Sequence, residues 1–111
     1  MTPDKLFELH QKLSSDALEL MTKKNHDYRG GSGDPFANFR ASLTLGIDPR
    51  LGILIRMSDK LARLATFIHK GTLKVQDEGV HDTILDLINY SILLQAMIEE
   101  KLDDENTIKA P

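Results

Sequence analysis

Apolar residues recur along this chain at intervals of three and four positions, the spacing that places side chains on one face of an α-helix. Thr2 is of the residue type that caps helix N-termini, and Pro3 suits the first helical position. We therefore predict an amphipathic helix from Pro3 to about Lys24. Its apolar face comprises Leu6, Leu9, Leu13, Ala17 and Leu20.

An aspartate followed by a proline marks two further helix starts, because the pair supplies an N-cap and a first helical residue. The first pair, Asp34 and Pro35, precedes a short helix predicted over residues 36–45. The second pair, Asp48 and Pro49, opens a longer helix predicted to reach Lys70. A glycine follows each segment, as is typical of helix C-termini.

The last long helix is predicted from residue 77 or 78 to about Lys101, followed by a polar, frayed tail over residues 102–111. The segment 72–75, "TLKV", is the only candidate strand, and it is too short to be convincing. The sequence therefore predicts an all-α fold: a compact bundle of about four helices in a single domain over residues 1–101.

Length and composition indicate the class of protein. The 111 residues allow one compact core but not two, and 41% hydrophobic residues argue against wholesale disorder. A formal charge of −3 gives no general attraction to nucleic-acid polymers or anionic membranes. The sequence contains no cysteine, no membrane-spanning stretch and no signal-peptide pattern, so we expect a cytoplasmic protein that binds neither membrane nor nucleic-acid polymer.

The last predicted helix carries a polar stripe on an otherwise apolar surface. Glu78, Asp82, Asp86 and Asn89 follow one another at three or four residues, so their side chains lie on one face. Because apolar residues cover most of the remaining circumference, we expect this stripe to be enclosed. Enclosed carboxylates need compensating charge, and Mg²⁺ or Mn²⁺ is one source. Solvent or basic side chains of a neighbouring helix are the other.

The preceding helix supplies such basic side chains. Two faces are predicted for it: a charged one with Arg56, Asp59, Lys60 and Arg63, and an apolar one with Ile53, Leu54, Met57, Leu61, Leu64 and Ile68. Asp59 can be a further metal ligand, whereas Lys60 and Arg63 can meet phosphates. Alternatively, Arg56 and Arg63 form salt bridges with Asp82 and Asp86. The abundant apolar surface of these two helices also predicts a homo-oligomer.

Aromatic residues cluster around the glycine-rich stretch between the first two helices. Tyr28, Phe36, Asn38 and Phe39 are residue types that can stack on a nucleobase and read its polar edge. The alternative for Phe36 and Phe39 is that they fix the short helix to the core. The four histidines lack the spacing of a two-histidine metal face.

Taken in order, the stretches "DYRG", "DPFANFR", "GILIRMSDKLARL" and "VQDEGVHDTILDLINYSILL" resemble the phage and bacterial family called nucleotide modification associated domain, type one. The resemblance covers roughly residues 25–94. It implies a small, mostly helical protein that acts in nucleotide metabolism, in the host cytoplasm if a phage encodes it.

A more distant resemblance is to the all-α nucleoside triphosphate pyrophosphatases of the MazG and dimeric dUTPase type, which hold Mg²⁺ with acids from two helices. Asp86 and Tyr90 match the end of their second acidic motif, and Asp59 matches one acid of the first. Arg56 and Thr83 stand where those enzymes carry acids. This departure speaks against hydrolysis more than against nucleotide binding.

The sequence therefore predicts an Mg-dependent nucleotide-binding protein that resembles (deoxy)nucleoside triphosphate pyrophosphohydrolases. A non-catalytic, phage-type nucleotide sponge or regulator is the alternative, and a purely structural helical assembly is the third. The expected metal ligands are Asp59, Glu78, Asp82 and Asp86, of which Asp59, Asp82 and Asp86 are also the expected catalytic residues. The expected nucleotide-binding residues are Tyr28, Phe36, Asn38, Phe39, Arg40, Arg56, Lys60, Arg63, Asn89 and Tyr90.

Overall fold

Four α-helices and one 3₁₀ helix make up the described part of the protein. A computed structural model describes the backbone of residues 1–29, 33–70 and 78–109, and the side chains of residues 1–25, 33–70 and 79–101. The elements are α1 (Pro3–Arg29), α2 (Ala37–Arg40), a 3₁₀ helix (Ala41–Leu45), α3 (Pro49–Lys70) and α4 (Glu78–Lys109). No strand occurs in these ranges, so the predicted all-α fold of about four helices is confirmed.

Side-chain caps begin α1 and α3 where the sequence predicted them, but not α2. The backbone N–H of Lys5 donates to Thr2 Oγ1 over 3.2 Å. The N–H of Phe36 donates to Asp34 Oδ1 over 3.0 Å, yet the N-cap of α2 is Phe36, which makes no side-chain capping hydrogen bond. Asp48 Oδ1 accepts from the N–H of Arg50, also at 3.0 Å. Gly46 ends the 3₁₀ helix with a φ of 72°, a conformation that glycine adopts without steric cost.

Two predicted helix ends were wrong. The first helix continues to Arg29 rather than Lys24, and the last continues to Lys109 rather than Lys101. Neither extension contains a glycine or proline, so nothing in the backbone chemistry stops the helix once it has formed. The candidate strand over residues 72–75 lies outside the described residues.

The core forms where all four α-helices meet. Its buried residues are Phe36, Phe39, Ile53, Leu93 and Met97, and Met21 of α1 packs against them. Helices α3 and α4 run antiparallel, since residues 48–50 line a cavity with Lys101, whereas Phe67 lines another with Val80. Helix α4 is central, because both α1 and α3 pack against it.

Helix α3 turns a different face to the protein than its sequence predicted. The inward stripe comprises Ile53, Met57, Lys60, Leu64 and Phe67. Lys60 was predicted on the charged face, and Leu54, Leu61 and Ile68 on the buried one, but these three are 46%, 56% and 73% exposed. The apolar residues of α3 cover a wider part of its circumference than the part that packs against α4. Lys60 lies within the packed part, so some of the apolar residues face outward.

The molecule is elongated, with extents of 55 × 33 × 25 Å. Its radius of gyration is 16.9 Å, against about 13 Å for a compact chain of this length. Residues 1–12 of the N-terminal region are all exposed, including Leu6, Phe7 and Leu9. Despite the lengths of α1 and α4, no described helix has the continuous apolar character that crossing a bilayer requires.

Replacing Ile53 by alanine should destabilise the protein by about 2–5 kcal/mol, because its side chain is 0% exposed and the deletion leaves a cavity. Ile55→Ala is the matched control on the same helix, where the side chain is 58% exposed. Urea unfolding followed by circular dichroism compares the two. Equal losses of stability in the two variants would contradict the placement of the core.

Candidate functional site

A carboxylate contacted by two ammonium groups lies where α1, α3 and α4 meet. Asp86 of α4 has a side chain that is only 14% exposed. Its Oδ2 lies 2.9 Å from Nζ of Lys60 on α3, and its Oδ1 accepts a hydrogen bond of 3.3 Å from Nζ of Lys24 on α1. Each oxygen is therefore held by a lysine from a different helix.

The two lysines keep Asp86 ionised. Burial by itself raises the pKa of this carboxyl, but the hydrogen bond from Lys60 and the charge and hydrogen bond of Lys24 outweigh it. The net effect is a pKa below the ordinary value of 3.8. Both cations at this carboxylate are lysine ammonium groups, which are hydrogen-bond donors and attract anions.

Asn89, one turn after Asp86, fixes the position of α1. The side chain is 2% exposed, and its Nδ2 donates to the carbonyl oxygen of Ala17 over 3.0 Å. The carbonyl requires a donor, which assigns the orientation of the amide. Lys24 follows Ala17 by two helical turns and lies on the same face of α1, so this hydrogen bond helps to place Lys24 at Asp86.

The other predicted acids do not gather around Asp86. Asp59 and Asp82 are exposed, and the expectation that the whole acidic stripe is enclosed was wrong for Asp82. The side chain of Glu78 lies outside the described residues. Within the described ranges, no three acidic or histidine side chains are grouped as a metal site requires. The cations at Asp86 are lysines, and Mg²⁺ binding by the acidic stripe stays a prediction.

The predicted arginines lie on the surface around this cluster. Arg56 and Arg63 are exposed, and neither forms an ion pair with a described residue. The guanidinium of Arg56 instead lies 4.7 Å from the centre of the Phe39 ring. Ion pairs between helices were the alternative for the acidic stripe. They are present at Asp86, with lysines in the place of the arginines.

The residues predicted to bind the base are divided between core and surface. Phe36 and Phe39 are buried in the core, and Tyr90 packs against it. Stacking of a base on either phenylalanine remains a prediction that this packing disfavours. Asn38 is exposed, and the side chain of Tyr28 lies outside the described residues.

Arg40 has a structural role at the other end of the bundle. Its Nη2 donates to Glu100 Oε1 over 2.6 Å, and its Nε donates to Asp34. The guanidinium also lies 5.6 Å from the centre of the Phe36 ring. These contacts join the segment before α2 to α4, so they leave Arg40 little freedom to turn toward a ligand.

Lys24 is the site residue that the sequence did not single out. It lies at the predicted end of the first helix, where side chains are expected to be solvated. One sequence feature could have identified it: Lys24 follows the small residue Ala17 by two helical turns and therefore lies on the same helix face. Periodicity alone cannot show that this face crosses α4 next to Asp86.

Replacing Lys60 by alanine should raise the pKa of Asp86. Burial raises this pKa, and in the variant only Lys24 remains to lower it. Carboxyl ¹³C resonances followed through a pH titration measure the shift. The stabilising effect of ionised Asp86 is present above its unfolded pKa of about 3.9 and is lost as pH falls through the lower folded value. In Lys60→Ala the window of this loss should be narrower and should end at a higher pH, because the folded pKa lies closer to the unfolded one.

Lys23→Ala is the matched control for that titration, because Lys23 is exposed and pairs with Glu19 in the same helix. It should leave the pKa of Asp86 unchanged. An unchanged Asp86 titration in Lys60→Ala would contradict the electrostatic role assigned to Lys60.

Comparison with known proteins supplies a family. The model of the family described as nucleotide modification associated domain 1 matches residues 24–100, a segment that contains the lysine pair, Asp86 and Asn89. No curated protein and no solved structure matches the chain. The family name associates such domains with nucleotide modification. The match covers more than half of the 111 residues, so the chain belongs to the nucleotide modification associated domain 1 family.

Proposed function

We propose that this protein binds a nucleotide through its phosphates, and that the cluster of Lys24, Asp86 and Lys60 is the phosphate-binding site. One observation carries the proposal: a carboxylate that is only 14% exposed holds ammonium groups from two different helices. The family's association with nucleotide modification supports the class of ligand.

The lysine pair offers a phosphate two ammonium donors at one place. Lys24 and Lys60 reach the same carboxylate from different helices, and the side chain of Lys60 is only 17% exposed. Hydrogen bonds from ammonium groups to phosphate oxygens are charge-assisted and therefore strong. Lysine ammonium groups are mobile point charges, so both can turn toward phosphate oxygens while Asp86 keeps them near one place.

Arg63 adds a further positive charge to the surface next to Lys60. It follows Lys60 by three residues on α3, which places the two side chains about one turn apart on neighbouring parts of the helix surface. Its exposed guanidinium can reach a second phosphate, for which its planar fork of donors is suited. A ligand with two or more phosphates therefore fits this surface better than a single phosphate.

Hydrolysis of a (deoxy)nucleoside triphosphate is the second candidate. Asp59 adjoins Lys60, Asp82 precedes Asp86 by one turn, and both are exposed without a described ion-pair partner. These carboxylates are open to the Mg²⁺ or Mn²⁺ that accompanies a nucleotide as part of the substrate. The distant resemblance to MazG-type pyrophosphatases points the same way. Without turnover, the protein is a non-catalytic nucleotide sponge or regulator.

Calorimetric titration with deoxynucleoside triphosphates, with and without Mg²⁺, tests phosphate binding. Lys60→Ala should weaken binding about ten- to a hundredfold, the loss expected for one charge-assisted hydrogen bond. Lys23→Ala, an exposed lysine one residue from Lys24, should bind like the parent. No binding by the parent, or equal affinity in Lys60→Ala, would overturn the proposal.

Pyrophosphate release from the same nucleotides separates the two candidates. Release that needs Mg²⁺ or Mn²⁺ and disappears in Asp86→Asn establishes hydrolysis, provided that Glu99→Gln, an exposed acid on the same helix, retains it. Binding without release by the parent assigns the protein as a binder.

We also propose that copies of this chain associate through the exposed apolar face of α3, which comprises Leu54, Leu61 and Ile68. Burying one large apolar side chain stabilises a protein by about 1.5–3 kcal/mol relative to leaving it in water, so covering this face favours association. A second copy is the proposed occupant, because a symmetric contact covers the same exposed face on both chains.

Light scattering coupled to size-exclusion chromatography measures this association. The parent should be an oligomer, and Leu61→Glu should dissociate it. Thr66→Glu adds the same charge to an exposed position on a different face of α3 and should not. A monomeric parent, or an oligomer that Leu61→Glu leaves intact, would contradict the assigned interface.

A further inference from the structure

We propose that a cavity between α3 and α4 receives the sugar and base of the bound nucleotide. The inference rests on the proposed function, because it requires the phosphates to lie on Lys24 and Lys60. The cavity has a volume of about 210 Å³. Its lining residues are Arg63, Leu64, Phe67, Gly79, Val80 and Thr83.

Both helices place this cavity one turn from the phosphate cluster. Leu64 follows Lys60 by four residues on α3, and Thr83 precedes Asp86 by three residues on α4. Since the two helices are antiparallel, both steps lead in the same direction along their interface. The displacement is about 5 Å, so a ligand held by its phosphates at the lysines extends directly into the cavity.

The lining has the chemistry that a nucleoside needs. Leu64, Phe67 and Val80 form an apolar wall that can cover one face of a heterocycle. Arg63 adds an exposed guanidinium at the rim, between the apolar wall and the phosphates at the lysines. Thr83 Oγ1 donates to the carbonyl oxygen of Gly79 over 2.6 Å, so toward a ligand this hydroxyl can act only as an acceptor.

The size of the cavity fits part of a nucleotide. Sites for whole drug-sized ligands measure about 300–1,000 Å³, and this cavity is smaller. A base with part of its sugar can enter it while the phosphates remain outside on the lysines. Phe67, rather than the core residues Phe36 and Phe39, then supplies the aromatic contact.

Gly79 allows the cavity to be filled without disturbing the fold. A Cβ added at this position meets no described atom within 4 Å, and glycine is a weaker helix former than either alanine or leucine. Gly79→Leu should therefore fold and occupy the space. Gly79→Ala is its matched control, because it changes the backbone propensity in the same way but adds little volume.

Each variant is titrated with two probes, deoxynucleoside triphosphates and inorganic tripolyphosphate, after circular dichroism has shown that it folds. We expect the parent to bind at least one of the nucleotides about tenfold or more tightly than tripolyphosphate. Gly79→Leu should lose this preference while binding tripolyphosphate like the parent. Gly79→Ala should retain the preference.

The possible failures are distinguishable. Equal affinity of the parent for nucleotides and tripolyphosphate, or a nucleotide preference that survives in Gly79→Leu, overturns the cavity assignment and leaves the phosphate site standing. Failure of the parent to bind either probe overturns both.

Discussion

The carboxylate of Asp86 imposes the main electrostatic constraint on this fold. It lies within the surface formed by three helices, where losing water raises its pKa, yet its contacts with Lys24 and Lys60 bring the net pKa below the ordinary value. The carboxylate is compensated because α1 and α3 each place a lysine ammonium group at the same point of α4. Asn89 supports the geometry on the α1 side through its hydrogen bond to Ala17.

The same constraint connects the site with the molecular surface. Because Lys60 lies on the inward stripe of α3, part of the broad apolar arc of that helix turns outward at Leu54, Leu61 and Ile68. A helix that buried these three apolar side chains against α4 would move Lys60 away from Asp86 and leave a poorly solvated carboxylate with only one ammonium partner. The charged cluster and the exposed apolar face are therefore two consequences of one helix orientation.

Local rules in the sequence account for much of the fold but for less of the site. Thr2 and Asp48 marked helix starts correctly, because a cap depends on neighbouring residues only, whereas the N-cap of α2 is Phe36 and not the predicted Asp34. The orientation of α3 depends instead on its neighbours, and its apolar arc was too broad to show which part packs against α4.

The site itself depends on where helices cross, which periodicity does not encode. Asp86 and Lys60 could be selected from their helix faces, whereas Lys24 could not, since its role arises from the crossing of α1 and α4. Phe36 and Phe39 illustrate the same limit: their composition fits either stacking or packing, and their burial in the core favours packing.

Phosphate binding at the lysine pair can be observed at the ammonium groups themselves, by ¹H–¹⁵N correlation spectroscopy while inorganic tripolyphosphate is added. We expect the resonances of Lys24 and Lys60 to shift together and saturate, whereas those of Lys12 and Lys23, which pair with acids of their own helix, stay in place. If the signals of Lys24 and Lys60 do not change at high tripolyphosphate concentration, their contacts with Asp86 are purely structural and the cluster is not a phosphate site.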